Sequence, residues 1–151
     1  MKGIVVTDTS PLIALERVGK LDLLPGLYSV VAPSVVVAEF GSKPDWLRIE
    51  DARDRARVAE LAASLDDGES EAIALALETP GRPLLIDEIR GRRAALRFGL
   101  EVIGTLGVLI RAQRAGLIPA VRPLLDELRE AHGFRASDAI VAAVLRQAGE
   151  G

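Results

Sequence analysis

Short apolar runs, each leading directly into a helix start, set the fold class of this chain. The first is Gly3-Ile4-Val5-Val6-Thr7, which ends at Asp8 and is followed by Thr9-Ser10-Pro11-Leu12-Ile13-Ala14-Leu15. A run this short reads as a buried strand, and Ser10 with Pro11 behind it reads as the beginning of a helix. The pattern recurs at Tyr28-Ser29-Val30-Val31, at Pro83-Leu84-Leu85-Ile86 and at Glu101-Val102-Ile103. Strands that alternate with helices require crossover connections, so they build a parallel sheet covered on both faces. The expected fold class is α/β: three α/β/α layers around a central parallel sheet of about four to five strands.

The segments between the strands read as helices over about 11–18, 52–64, 66–77 and 91–98, with a short turn at 21–26. Ser34-Val35-Val36-Val37-Ala38-Glu39-Phe40 carries strand-favouring valines. Pro33 before it and Gly41 after it favour a helix, which is the reading adopted. A helix follows the last strand to about Ala115, and two more cover about 120–131 and 137–147. The expected organisation is one unit over 1–116, with a helical extension over 117–151 packed on it.

Composition narrows the chemistry. The 151 residues are 49% hydrophobic, enough for a substantial core. There is no cysteine and one histidine, His132. Thiolate sites, cysteine nucleophiles and multi-histidine zinc sites are thereby excluded, and histidine-paired catalysis is strained. No apolar run reaches the ~18 residues of a membrane span, and the N-terminal stretch does not read as a signal peptide, so a cytoplasmic protein is expected. A net charge of −3 argues against bulk electrostatic attraction to nucleic acid. Five aromatic residues disfavour a base-stacking platform.

Carboxylates remain. Ligands of open parallel sheets bind beyond the carboxyl ends of the strands, where Asp8, Asp87 and Glu88 fall. Asp8 has no obvious capping task, because Ser10 can supply the N-cap oxygen. Glu39 and the Glu69/Glu71 pair lie on helices that begin at the same edge. Carboxylates gathered around one cleft repel unless cations neutralise them, and hard oxygen donors select Mg²⁺ or Mn²⁺. Such ions suit in-line displacement at a phosphodiester. Glu69 and Glu71 point about 160° apart on a helix. By periodicity Glu69 falls among Ala72, Ile73 and Ala76, and Glu71 beside Leu75 and Glu78. Arg90, Arg93 and Arg97 form one basic stripe, which can grip an RNA backbone or an acidic partner or simply be a solvated face. Arg92 lies off that stripe and reads as exposed.

Four segments together resemble PIN domains: Thr7-Asp8-Thr9-Ser10-Pro11-Leu12-Ile13, Pro33 to Glu39, Leu65 to Ala76, and Leu84-Leu85-Ile86-Asp87-Glu88. Gly68-Glu69-Ser70-Glu71-Ala72-Ile73 is similar to the variant motif of a small prokaryotic PIN-like subfamily, which also carries a helical C-terminal extension. The resemblance implies a metal-dependent endoribonuclease, often the toxin of a toxin–antitoxin pair. It further implies an RNA substrate, Mg²⁺ or Mn²⁺ as cofactor, a small antitoxin as partner, and a homodimer. Position by position, Asp8 matches the first acid, Glu39 the second and Glu71 the third, with Glu69 as the alternative. Asp87 is taken as the fourth, with Glu88 as its rival, and Thr9 or Ser10 resembles the hydroxyl that assists the first acid. Glutamate at the third position and an irregular fourth also admit a PIN fold that no longer cuts. A phosphoaspartate receiver fits Asp8 alone, but the only lysines are Lys2, Lys20 and Lys43. Ser137-Asp138-Ala139-Ile140 imitates the third-acid helix but reads as a helix start, and His132 before Gly133 as a helix end.

Overall fold

Alternation along the strands decides the layering. Successive side chains of a strand face opposite ways, and every strand here but the edge strand at 47–49 sends apolar residues to both sides. Val5, Val30, Ala32, Leu47, Leu85 and Ile103 enter one core, while Val6, Val31, Leu84 and Ile86 enter another. The sheet is therefore buried on both faces, as a parallel sheet must be. The computed structural model describes residues 2–151. Among them the strands are β1 (Ile4–Thr7), β2 (Ser29–Ala32), β3 (Leu47–Ile49), β4 (Leu84–Leu85) and β5 (Val102–Ile103). All pairings are parallel, in the order β3-β2-β1-β4-β5.

The helices are α1 (Thr9–Arg17), α2 (Leu23–Leu27), α3 (Ser34–Phe40), α4 (Arg55–Ala62), α5 (Asp67–Glu78), α6 (Ile89–Arg97), α7 (Thr105–Arg114), α8 (Arg122–His132) and α9 (Asp138–Gln147). Leu12 and Leu15 of α1, Leu24 of α2, Val36 of α3 and Leu109 of α7 pack on the first face. Leu125 and Leu128 of α8 and Val144 and Leu145 of α9 share that same core, so the C-terminal helices are built onto the sheet. The second face is covered by α4, α5 and α6 through Val58, Leu61, Ile73, Leu75, Ala94 and Ala95. The expected three-layer α/β/α fold is the one observed.

Several boundaries differ from the sequence reading, each for a local reason. Strand β3 was not anticipated, because Leu47 is buried but Arg48 and Ile49 are exposed, so this edge strand has no apolar run. Helix α4 begins at Arg55 instead of 52, since Asp54 caps it by accepting from the Arg57 amide at 3.0 Å. The valine-rich 34–40 segment is a helix, closed by Gly41 at φ +86, a conformation that glycine adopts without strain. Ser10 is not the N-cap of α1: the helix starts at Thr9 and Asp8 occupies the cap position.

Candidate functional site

The chain lays down β1, β2 and β3 in one direction, then returns to place β4 on the other side of β1. The strands on either side of that reversal send their connections apart and leave a crevice at their carboxyl ends. Asp8 stands at its rim. Its amide donates to the Leu85 carbonyl at 2.9 Å, which fixes its backbone beside β4. Although it occupies an N-cap position, its side chain caps nothing, and it is only 4% exposed. The carboxylate turns instead toward the first turn of α5. A Cβ at Gly68 would lie 3.3 Å from Asp8 Oδ1 and 2.5 Å from Glu39 Oε1. Two acids from β1 and α3 thus converge on the bare backbone of a third element, and glycine is needed there for close approach.

The next residue of α5 makes a second pair. Asp66 Oδ1 accepts from the Glu69 amide at 2.8 Å, and Glu69 Oε1 accepts in return from the Asp66 amide at 3.2 Å. This capping box pulls the Glu69 side chain back over the helix start. Its other oxygen, Oε2, lies 3.5 Å from where a Gly91 Cβ would stand. Glu88, the N-cap of α6, reaches the same glycine by accepting from its amide at 3.0 Å. Glu69 is buried and Glu88 exposed.

The electrostatics follow from burial without countercharge. The Asp8 carboxyl is raised to about 7, chiefly by desolvation; a backbone hydrogen bond from Thr9 opposes the rise, and Glu69, Asp66 and Glu39 add to it. Glu69 is likewise raised to about 7, first by burial and then by Asp66 and Glu88. Burial also raises Glu39, with Asp66 and Asp67 adding to it.

Glu71 and Asp87 do not join this cluster. Two residues on from Glu69, Glu71 points to the other side of α5, where its Oε1 meets Arg55 Nη2 at 2.5 Å. Its Oε2 is buried without a partner. Asp87 turns toward α7, which has Gly104 at its N-cap and so no side-chain cap of its own. Asp87 Oδ1 accepts from the Thr105 amide at 2.8 Å and Oδ2 from the Thr105 hydroxyl at 2.6 Å. Burial raises its pKa, while both Thr105 bonds and the nearby Arg92 lower it. Arg92 is half-buried, not exposed: its Nη1 donates to the Ile86 carbonyl at 3.0 Å.

Thr9 is buried with an unpartnered hydroxyl, whereas Ser10 is exposed. Arg90, Arg93 and Arg97 are all exposed on α6. Ser137 caps α9 by accepting from the Ile140 amide, and His132 ends α8 before Gly133. The signal for Glu69 was present in the helical wheel. The signal for Asp87 was the uncapped Gly104-Thr105 start of the following helix.

Among the described residues no three acidic or histidine side chains surround one point as a formed metal centre. The acids stand as two pairs, Asp8 with Glu39 and Glu69 with Glu88, bridged by mutual repulsion. Nor is any described helix long and apolar enough to cross a membrane. A family model described as a PIN domain, a nuclease-type fold that generally works with divalent metal ions, matches residues 4–150. No curated protein matches the chain. That match takes in the whole sheet, every acid of the cluster and both C-terminal helices, and the chain belongs to the PIN-domain family.

Proposed function

We propose that this protein is a ribonuclease that hydrolyses RNA phosphodiester bonds with Mg²⁺ or Mn²⁺ held by Asp8, Glu39 and Glu69, with Glu88 completing the set. The observation that carries this reading is the state of Asp8: buried, without a countercharge, free of any capping bond, and facing a second carboxylate across Gly68. Gathering uncompensated carboxylates in a buried site is costly unless a cation is bound there. The donor set fits such an ion, because it is all hard oxygen, and the unpartnered Thr9 hydroxyl stands next to Asp8. When bound, the ion supplies positive charge to the scissile phosphate and acidifies water.

The chain's own residues do the positioning. Asp8 is fixed through its amide to β4, Glu69 through the capping box, and Glu88 through the start of α6. The exposed Arg90, Arg93 and Arg97 lie on the helix that Glu88 caps, where they can contact the RNA backbone. In this reading Asp87 and Glu71 are structural acids. The biological setting proposed is a cytoplasmic, homodimeric toxin restrained by a small antitoxin protein.

Incubation of purified protein with structured RNA and Mn²⁺ tests the proposal. Cleavage is expected, with loss on chelation and in Asp8→Asn; undiminished cleavage by that variant would sink it. One observation favours a second reading, a PIN fold that binds without cutting: the acids stand as two pairs and not as a single centre. Calorimetry with Mn²⁺ separates the two, since a silent module shows no uptake that depends on Asp8.

A further inference from the structure

Helix α9 is anchored to the fold by its second half. Val144 and Leu145 are buried, but the apolar run before them, Ala139-Ile140-Val141-Ala142-Ala143, contains no buried residue. A helix that is apolar around its whole circumference is ordinarily covered on every side. Here Ile140 is 51% exposed. It shares a hollow of about 770 Å³ with Ile89, the first residue of α6, which is 63% exposed. Phe134 and Ala136, from the link between α8 and α9, complete the apolar part of that hollow. Single exposed isoleucines need no explanation, but two in one concavity beside an uncovered helical turn mark an interaction surface. The charges around the hollow balance. Asp126 and Glu130 of α8 stand against Arg129 and Arg135. Arg129 pairs with Asp138 at 3.2 Å, whereas Asp126, Glu130 and Arg135 join no ion pair among the described residues.

We infer that this hollow is the surface on which two copies of the chain meet, the exposed turn of α9 and Ile89 of each copy being covered by the other. The inference rests on the homodimer of the proposed function and gives it a surface. Charge decides the occupant. A strand of RNA or an acidic protein segment meets two carboxylates beside two arginines here, so attraction and repulsion largely cancel. A second copy escapes that cancellation, because a two-fold axis makes the interface isologous: what one copy offers, it also receives. Glu130 of each copy then faces Arg135 of the other, around an apolar centre with a polar rim. The small side chains of Ala139, Ala142 and Ala143 let a facing helix come close beside Ile140. Ile89 directly follows Glu88, so a dimer built here sets its interface beside the acidic cluster of each copy.

Sedimentation velocity of the full chain over about 1–100 μM, the range suited to a small interface, tests the inference. The wild type is expected to pass from monomer to dimer within that range. Ile140→Glu changes an exposed position, so it should fold normally, yet weaken dimerisation about a hundredfold by placing two charges at the apolar centre. Arg135→Glu and Glu130→Arg should each weaken it about tenfold, because the two-fold axis turns one change into two like-charge contacts. Mixing these two variants should restore dimers, since the mixed pair regains opposite charges at both contacts. Leu96→Glu, at a similarly exposed position near the other end of α6, should change nothing. A wild type that stays monomeric at every concentration overturns the inference, as does a dimer indifferent to Ile140→Glu and to the charge reversals. So do variants of the hollow that keep the dimer and lose RNA binding, which would give the surface to the substrate. Asp8-dependent cleavage by a chain that stays monomeric would sink the dimer surface and leave the nuclease reading standing. A dimer that depends on the hollow but never cuts RNA would do the reverse.

Discussion

Asp8 and Asp87 follow neighbouring parallel strands at the same edge of the sheet, one buried and the other half-buried, and the fold treats them in opposite ways. Asp87 is satisfied twice by Thr105 and closes the start of α7. Asp8 sits where a cap belongs and caps nothing. The difference separates an acid that the fold uses from one that the fold tolerates. A carboxylate with two strong hydrogen bonds to another element holds structure together, whereas a buried one held only by its neighbour's backbone and facing other carboxylates weakens the apo protein. The largest expected effect crosses these roles. Asp8→Asn should lower RNA cleavage by about 10²–10³-fold and yet raise the stability of the metal-free protein by about 2 kcal/mol, because it removes a raised carboxyl group. Asp87→Ala should cost about 2–3 kcal/mol by orphaning the Thr105 amide, with cleavage falling only as far as folding falls. Thermal melts beside cleavage assays decide it; a destabilised Asp8→Asn would erase the contrast.

The two glutamates of α5 repeat the comparison on one helix. Glu69 faces Asp8 and Glu88, and Glu71 faces Arg55. Glu69→Gln is expected to weaken Mn²⁺ uptake about tenfold or more, on the scale of losing one charged ligand. Glu71→Gln should leave uptake within about twofold and cost at most ~1 kcal/mol, because Arg55 is largely exposed. Titration calorimetry of both variants reads this directly. Equal losses would place Glu71 in the site after all.

Why some of this was legible in the sequence and some was not has a physical cause. The strands β1, β2, β4 and β5 announce themselves because they are buried on both faces, so their apolar runs are continuous. Strand β3 buries Leu47 alone and leaves no such trace. Asp8 and Glu39 could be picked out because each belongs to a local motif. The inward turn of Glu69 was readable in the 3.6-residue period, although family alignment pointed to Glu71. Nothing local to Asp87 reveals its partner, since Thr105 lies 18 residues away on another element. Arg92, too, is held by the Ile86 carbonyl only once α6 has packed against the sheet.

The same contrast predicts a pH dependence. In the folded metal-free protein Asp8 and Glu69 are both raised to about 7, from ordinary values of 3.8 and 4.5. The folded state then holds protons more tightly than the unfolded one. The stabilisation is complete below about pH 4 and is lost as pH rises through 7. In chelator the melting temperature should fall by roughly 5–10 °C between pH 5 and pH 8, the equivalent of about 2–3 kcal/mol for a chain of this size. Saturating Mg²⁺ or Mn²⁺ should recover most of that loss at pH 8 and little at pH 5, where the carboxylates are protonated. Asp8→Asn should flatten the chelator profile and Asp87→Asn should leave it steep. A flat wild-type profile would mean that the acids are not buried together.

The smallest effect concerns the two glycines, one under each carboxylate pair. At Gly68 an added methyl meets Glu39 Oε1 at 2.5 Å, the far end of an exposed and flexible side chain, so Glu39 can swing away. Gly68 lies in the first turn of α5, where alanine gains over glycine only part of the ~1 kcal/mol it gains in a helix interior. Gly68→Ala should therefore fold at least as well as the wild type and cut roughly three- to tenfold more slowly, since the displaced acid no longer meets Asp8. At Gly91 the methyl instead meets Ile86 Cδ1 at 2.5 Å, inside the packed core. Crowding there costs about 1–3 kcal/mol, so Gly91→Ala should lose stability before it loses cleavage per folded molecule. Cleavage rates normalised to the folded fraction from denaturant melts distinguish the two. If Gly68→Ala cuts at the wild-type rate, the approach of Glu39 to Asp8 is not what the site requires, and Glu69 and Glu88 must carry the ion alone.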